Sequence, residues 1–220
     1  MQKRRWTIIH EDEDVLVVSK PPGMLTSTGP REKRPTLLAE VRAYVAEHAP
    51  RARVGLIHRL DRDAGGLLVF SKSHRAYLSL KRQFFEHTVD RHYLAVVHGT
   101  PKPPAGRIET RLAERADGTV YSVKTAGGEK AITDYQVFKS AGGLSLVRLK
   151  LFTGRKHQIR VHLSERGHPI VGDPMYGKPD DLPPLRLVAV EMAFDHPATG
   201  RRVKFKIDPP ASLTALLRSD

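Results

Sequence analysis

Short apolar runs rich in β-branched side chains recur along the chain, at 6–10 (WTIIH), 14–20 (DVLVVSK), 67–72 (LLVFSK), 92–99 (HYLAVVHG), 132–138 (ITDYQVF), 144–152 (LSLVRLKLF) and 185–194 (LRLVAVEMAF). Runs of this length, bounded by Gly, Pro, Ser and Asp, predict strands. Between them, apolar positions three and four apart predict helices over 36–49, 74–87 and 156–167, the last closed by Gly167, and a short terminal helix in ASLTALLR (211–218). The helices are few and irregularly spaced among the strands. This pattern predicts the α+β class, with a mixed, mostly antiparallel central sheet flanked by helices and loops, in place of a doubly wound parallel sheet. No internal repeat or linker tract interrupts the chain; KPPG (20–23), TPKPPAG (100–106) and KPDDLPP (178–184) read as loops fixed by proline and glycine. Residues 1–220 are therefore expected to form one domain.

Composition narrows the chemistry. The chain has 220 residues, enough for a sizeable core, and 37 Lys and Arg against 24 Asp and Glu, a formal charge of +13. Such a surface seeks polyanions, with nucleic acid the leading partner. There is no cysteine, which excludes disulfides, thiolate metal sites and a cysteine nucleophile. The opening MQKRRWTIIHEDED lacks the apolar core of a secretory signal, and no run is long and apolar enough to span a bilayer, so a cytoplasmic location is expected.

Three stretches carry candidate chemistry. In IHRLDRDAGGLLVF (57–70), Asp61 stands between Arg59 and Arg62 on a loop before a strand, and Gly65 and Gly66 permit a tight turn and close backbone approach. Neighbouring guanidinium charges favour the charged form of a carboxylate, which suits a nucleophile or base; a solvated loop of alternating charges is the plainer alternative. In TGRKHQIRVHL (153–163), Thr153 is placed to cap a helix whose first turn holds Lys156 and His157 and whose next holds Arg160. Those cations could bind phosphate or fix a carboxylate, or form a solvated basic face. In RHYLAVVHG (91–99), Tyr93 lies near the start of a strand, facing either a cleft or the core. The pairs His87/His92 and His157/His162 are each five apart, the wrong spacing for a helical or strand metal pair, so no metal site is expected. HRLDRD echoes a kinase catalytic loop, but that loop needs an asparagine and the chain has none.

Taken in order, IIHEDEDVLVVSKPPGM (8–24), HRLDRDAGGLLVFSKS (58–73), RHYLAVVHG (91–99), EKAITDYQVF (129–138) and LKLFTGRKHQIRVHLSERGHPIVGDPMYG (149–177) resemble the RluA family of pseudouridine synthases over nearly the whole length. The resemblance implies the pseudouridine synthase fold around a catalytic cleft, with Asp61 as the catalytic aspartate, Tyr93 stacked on the target uracil and Arg160 paired with Asp61. Arg59 would enter the RNA stack as the base flips out. The cations beside these residues, His58 and Arg62 in the first loop and Arg155, Lys156 and His157 before Arg160, are read as RNA contacts. The implied reaction isomerises uridine in RNA without metal or cofactor.

This sequence differs from the family pattern after the aspartate, where Ala64 and Gly65 replace two residues that commonly bear hydroxyls, and at Arg91, where a lysine is common. Many members also carry a small N-terminal RNA-binding module; here the catalytic segment begins almost at once, so target selection is expected to come from the domain itself. The expected function is pseudouridine formation in ribosomal (large-subunit) or transfer RNA by a monomer. Two alternatives belong to other classes: a catalytically silent RNA-binding or chaperone protein on the same scaffold, and a metal-dependent RNA phosphodiesterase.

Overall fold

A computed structural model describes residues 4–28, 34–124, 127–179 and 184–217. In chain order it contains β1 (Thr7–Glu11), β2 (Val15–Lys20), α1 (Leu37–His48), β3 (Gly55–Leu56), β4 (Gly65–Ser71), α2 (His74–Phe85), β5 (Asp90–His98) and β6 (Ala105–Glu114). It continues with β7 (Val120–Val123), β8 (Glu129–Ala141), β9 (Leu144–Leu151), α3 (Gln158–Glu165), β10 (Leu187–Asp195), β11 (Arg202–Lys206) and α4 (Ala211–Thr214), ending in a 3₁₀ turn over Ala215–Leu217. Each of the seven expected strands is present, and so is each expected helix; residue 218 of the terminal one and residues 180–183 of the KPDDLPP loop lie outside the described residues. The α+β class is as expected, and the strand pairings described below are antiparallel.

The chain divides into two compact units, Met1–Asp90 with Glu191–Ile207 and Arg91–Val190 with Asp208–Asp220. In the first, β2 lies between β1 and β4, and β3 adds to the end of β4 through Gly55 opposite Ser71. Every residue of β4 is buried, as are five of the six in β2, which explains why both read as unbroken apolar runs with no alternation. Val15, Val17, Leu67, Val69, Leu80, Val89, Met192 and Phe194 form the core. The caps of α1 and α2 are Thr36 and Ser73, whose hydroxyls accept from the amides of Ala39 and Ala76 at 3.1 Å. Gln83 of α2 copies strand pairing with its side-chain amide, donating to the Asp195 carbonyl and accepting from the Asp195 amide, each at 2.8 Å.

A polar clasp closes the β1–β2 turn. Asp12 accepts from the amides of Asp14 and Val15 through Oδ1, both at 2.8 Å. Its Oδ2 meets Nε2 of His10 at 2.8 Å and Nε2 of His196 at 3.0 Å, tying this turn to the segment after β10.

In the second unit β9 lies between β5 and β8, β6 pairs with β8, and β7 completes the edge. α3 packs on β7 and β8, and Leu112, Val120, Ala131 and Val161 fill the space between, with Tyr176 against them. Four strands are absent from the apolar pattern: β3, β6, β7 and β11. β6 reads AGRIETRLAE, a run of good helix formers whose buried residues, Ile108 and Leu112, are four apart as on a helix face. Pairing on both edges, to β8 and to β7, overrides that local preference. β11 is short, with Val203 and Phe205 as its only apolar residues among three cations.

Burial alone would raise the Asp12 carboxyl, but bonds from His10, the Val15 and Asp14 amides and His196 outweigh it and hold it near 2, against an ordinary 3.8. A depressed carboxyl stabilises the fold above its unfolded value and loses that contribution as pH falls through the folded one. Asp12→Asn should therefore lower the urea midpoint most above about pH 5 and converge with wild type as pH approaches 2. A gap between the two proteins that is constant with pH would refute the clasp's acid component.

Candidate active site

The loop from Ile57 to Ala64 presents Asp61, half-buried, between the buried Leu60 and the exposed Arg62. Backbone bonds to two side chains of the β2 end hold it. The Thr26 hydroxyl donates to the Leu60 carbonyl at 2.7 Å and accepts from the Leu60 amide at 3.2 Å, clamping the residue before Asp61. Lys20, 1% exposed, donates its ammonium to the carbonyls of Pro21 (3.0 Å), Met24 (2.7 Å) and Arg62 (2.9 Å). Burial pulls the Lys20 ammonium down to about 8, and the charges of Asp63 and Asp61 resist that fall. The KPPG turn and the aspartate loop thus share one buried cation.

The glycines after Asp61 suit this packing. A Cβ on Gly65 would come within 3.3 Å of the Lys20 carbonyl oxygen and 3.4 Å of Pro22 Cδ, and Gly66, at φ +106°, pairs with Lys20 at the start of β4. Ala64 is buried.

The cations around Asp61 differ in what they do. Arg62 turns onto Asp63 in a two-point contact at 3.0 and 3.2 Å, so its charge is matched by its own neighbour. His58 accepts the Val69 amide at Nε2 (3.3 Å) and stacks on Phe84, with centroids 4.5 Å apart, which makes it a brace between the loop, β4 and α2. Arg59 is exposed.

Tyr93, Arg155, Lys156, His157 and Arg160 belong to the second unit. Tyr93 is buried in β5 opposite Leu149 of β9. Arg91, two residues earlier, is buried too; a Cβ on Gly154 would lie 2.6 Å from its Nη1, so a side chain there would have to shift the guanidinium.

α3 begins later than the sequence suggests. Its first residue is Gln158, its N-cap is His157 at φ +53°, and the Thr153 hydroxyl does not cap the helix. Instead Thr153 accepts from the Ile132 amide and donates to Gln158 Oε1, both at 2.8 Å, while Gln158 Nε2 donates to the Ile132 carbonyl and the Thr133 hydroxyl. The buried glutamine, whose Oε1 also accepts from the Arg155 amide at 3.0 Å, ties the approach to α3 onto β8, and none of these bonds caps the helix. Lys156 and His157 consequently lie in the approach to α3 and not in its first turn. Lys156 pairs with Glu114 and Arg155 with Glu129, each at 2.6 Å, and His157 Nδ1 shares a hydrogen bond with the Tyr176 hydroxyl at 2.9 Å.

Arg160 is buried on α3 and engages Asp173 through two parallel bonds, Nε to Oδ2 and Nη2 to Oδ1, both 2.8 Å. Asp173 Oδ1 also accepts from the amides of Met175 (2.9 Å) and Tyr176 (3.0 Å). Burial would raise this carboxyl, but Arg160 and those amides overcome it and keep it below its ordinary value. The Tyr176 ring lies 5.0 Å beneath the guanidinium carbon, and its hydroxyl accepts from the Val120 amide at 2.8 Å. Below them His162 sits between the hydroxyls of Thr110 and Thr133, each 2.9 Å away, and burial drives it down to about 4, so it is neutral.

Lys20, Thr26, Gln158, Asp173 and Tyr176 were not singled out by the sequence reading. Lys20 did leave a signal, a cation ending an otherwise apolar strand directly before two prolines. Asp173 and Tyr176 lie in GDPMYG, which spacing alone marks only as a turn.

On an α+β scaffold with a large excess of cations, the first unit holds the backbone of the Asp61 loop in place and the second holds the Arg160 guanidinium, features that suit the class of proteins acting on polyanions. Comparison with known proteins gives the class its name. The profile of the family described as RNA pseudouridylate synthase matches residues 14–165. The chain is 36% identical over 217 residues to the Uncharacterized RNA pseudouridine synthase YlyB of Bacillus subtilis (strain 168), covering 96% of this chain and 72% of that protein. It is 34% identical over 227 residues to the Ribosomal large subunit pseudouridine synthase D of Zymomonas mobilis subsp. mobilis, covering 96% and 71%. Among solved structures, Human RNA Pseudouridylate Synthase Domain Containing 1 superposes with a TM-score of 0.77 at 26% identity, covering 96% of this chain and 87% of that one.

The chain belongs to the RNA pseudouridylate synthase family. It is thus an isomerase, and the silent RNA-binding alternative is not supported.

Lys20→Met would leave three carbonyls without their buried donor. At about 1–3 kcal/mol for each buried group left unsatisfied, the loss should reach at least about 3 kcal/mol in urea unfolding. A loss below about 1 kcal/mol would show that the carbonyls find other donors.

Removing one member of a buried ion pair costs about 3–5 kcal/mol because the other charge stays behind. Asp173→Ala should show a loss of this size, and adding Arg160→Met should recover part of it. An equal loss with or without Arg160 would show that Asp173 acts through the Met175 and Tyr176 amides alone.

Proposed function

We propose that this enzyme converts uridine to pseudouridine in ribosomal RNA of the large subunit or in transfer RNA, with residues 1–220 working as one catalytic domain. The large-subunit assignment draws on relatives whose names state it. Asp61 is the catalytic aspartate, Tyr93 stacks on the extruded uracil, Arg160 pairs with the Asp61 carboxylate, and Arg59 fills the gap left in the RNA stack. His58, Arg62, Arg155, Lys156 and His157 support the RNA. The enzyme acts as a monomer, in the cytoplasm, without metal or cofactor. Among the described residues no helix is long and apolar enough to cross a membrane.

The observation that carries this reading is the Asp61 loop itself. Three hydrogen bonds, one from Lys20 to the Arg62 carbonyl and two between Thr26 and the Leu60 backbone, fix its position before any RNA arrives. Isomerisation needs no co-reactant: the N1–C1′ bond breaks, the ring turns, a C5–C1′ bond forms, C5 gives up its proton and N1 gains one. An ionised carboxylate can attack the nucleotide or assist departure of the base, and a guanidinium already oriented by Asp173 is suited to keeping it ionised in a partly dry site. Extruding the base costs a few kcal/mol, offset by stacking on an aromatic ring worth roughly 1–3 kcal/mol per base.

Asp61→Asn should abolish pseudouridine formation on unmodified ribosomal and transfer RNA transcripts, mapped by carbodiimide adduct and primer extension, while RNA affinity stays within a few fold. Turnover near wild type would overturn the assignment.

A further inference from the structure

We infer that the outer face of α2 is a second RNA contact, taking single-stranded RNA that flanks the target uridine. This rests on the RNA-modifying reading above and adds a surface to it. Arg75, Leu78, Arg82 and Phe85 follow one another at spacings of three, four and three, and so form a single stripe along the helix, with His74 and Lys81 beside it. Phe85 is 84% exposed and Leu78 55%, while the opposite side of the helix is buried through Ala76, Leu80 and Gln83. A lone exposed apolar residue is ordinary; an exposed aromatic at the end of a stripe that alternates with cations is a specific chemistry.

Charge decides the occupant. Within α2 itself there is no acid; Arg75 pairs with Asp14 at 2.7 Å, and the C-cap Glu86 stands exposed beside Phe85, four residues after Arg82, with no ion pair between the two. Lys81 and Arg82 face solvent. Cores of protein interfaces are depleted of lysine, whereas single-stranded RNA needs cations for phosphates and a flat ring for a base.

Position supports the same occupant. Phe84, the neighbour of Phe85, stacks on His58, three residues before Asp61. The C-terminal end of α2 is therefore fastened to the aspartate loop.

The test uses the full chain, a fluorescein-labelled single-stranded oligoribonucleotide for affinity, and an unmodified large-subunit transcript for activity. Phe85→Ala should weaken oligonucleotide binding by roughly 5- to 150-fold, the range for one lost base stack. Phe85→Trp should retain affinity and Phe85→Leu should not, because leucine offers apolar area without a stacking face. Lys81→Gln with Arg82→Gln should flatten the dependence of log affinity on log salt by about 0.7 for each phosphate given up. Turnover at saturating transcript should match wild type in all of them. Affinity within about twofold of wild type for Phe85→Ala, full rescue by Phe85→Leu, or capture of a second copy of the chain by a photo-crosslinker at position 85 would each overturn the inference. Wild type is assayed beside the variants: an active wild type with indifferent variants removes only the α2 contact, whereas an inactive wild type removes the functional reading beneath it.

Discussion

The aspartate loop stands where it does because a lysine ammonium has been taken out of water beneath it. Lys20 closes three carbonyls from two separate segments, and no neutral side chain of similar reach could donate to all three. Burying that charge is unfavourable, which is why its titration falls to about 8; the nearby carboxylates of Asp61 and Asp63 offset part of the penalty. The dependence runs both ways. The carboxylates close by favour the ammonium, and the ammonium closes the backbone of the loop at Arg62 and of the turn at Pro21 and Met24.

The second unit reaches the same end with opposite signs. There the group to be fixed is a cation, Arg160, and the fixing group is a buried carboxylate, Asp173, itself held by two backbone amides. Tyr176 beneath the guanidinium reaches on to the Val120 amide, so the orientation of Arg160 is referred to the edge strand of the sheet. In each unit a buried charge fixes its surroundings, Lys20 the backbone of the aspartate loop and Asp173 the guanidinium of Arg160.

Much of this was legible in the sequence, and the failures share a cause. Strands buried on both faces, such as β2 and β4, announce themselves as apolar runs; β6 does not, because its helix-forming composition is overruled by two neighbours far away in sequence. Asp61 was visible as a carboxylate in a glycine-rich turn, and the absence of hydroxyls at Ala64 and Gly65 gains a physical reading, since the backbone of the KPPG turn passes too close to Gly65 for a side chain to sit there freely. The groups that orient the site were hidden. Lys20 lies 41 positions from Asp61 (61 − 20) and Asp173 lies 13 from Arg160 (173 − 160), and neither partnership follows any helical or strand period. The start of α3 was misplaced for a similar reason, because Gln158 is satisfied by β8 and by Thr153 instead of the cap its sequence suggests.

The net charge of +13 overstates what is available to RNA near α3. Lys156 and Arg155 are each matched by a glutamate at 2.6 Å, and those glutamates, Glu114 and Glu129, are more exposed than the cations they hold. Surface pairs of this kind are worth at most about 1 kcal/mol, so a phosphate can displace the glutamate, but the displaced acid stays nearby and repels the same backbone. The net attraction of such a pair is small. A cation without an acid at its side keeps its whole field for the polyanion, and counterion release then scales with the number of such cations, not with the formal total. The distribution of acids, more than the count of lysines and arginines, therefore decides along which faces RNA is drawn to the site.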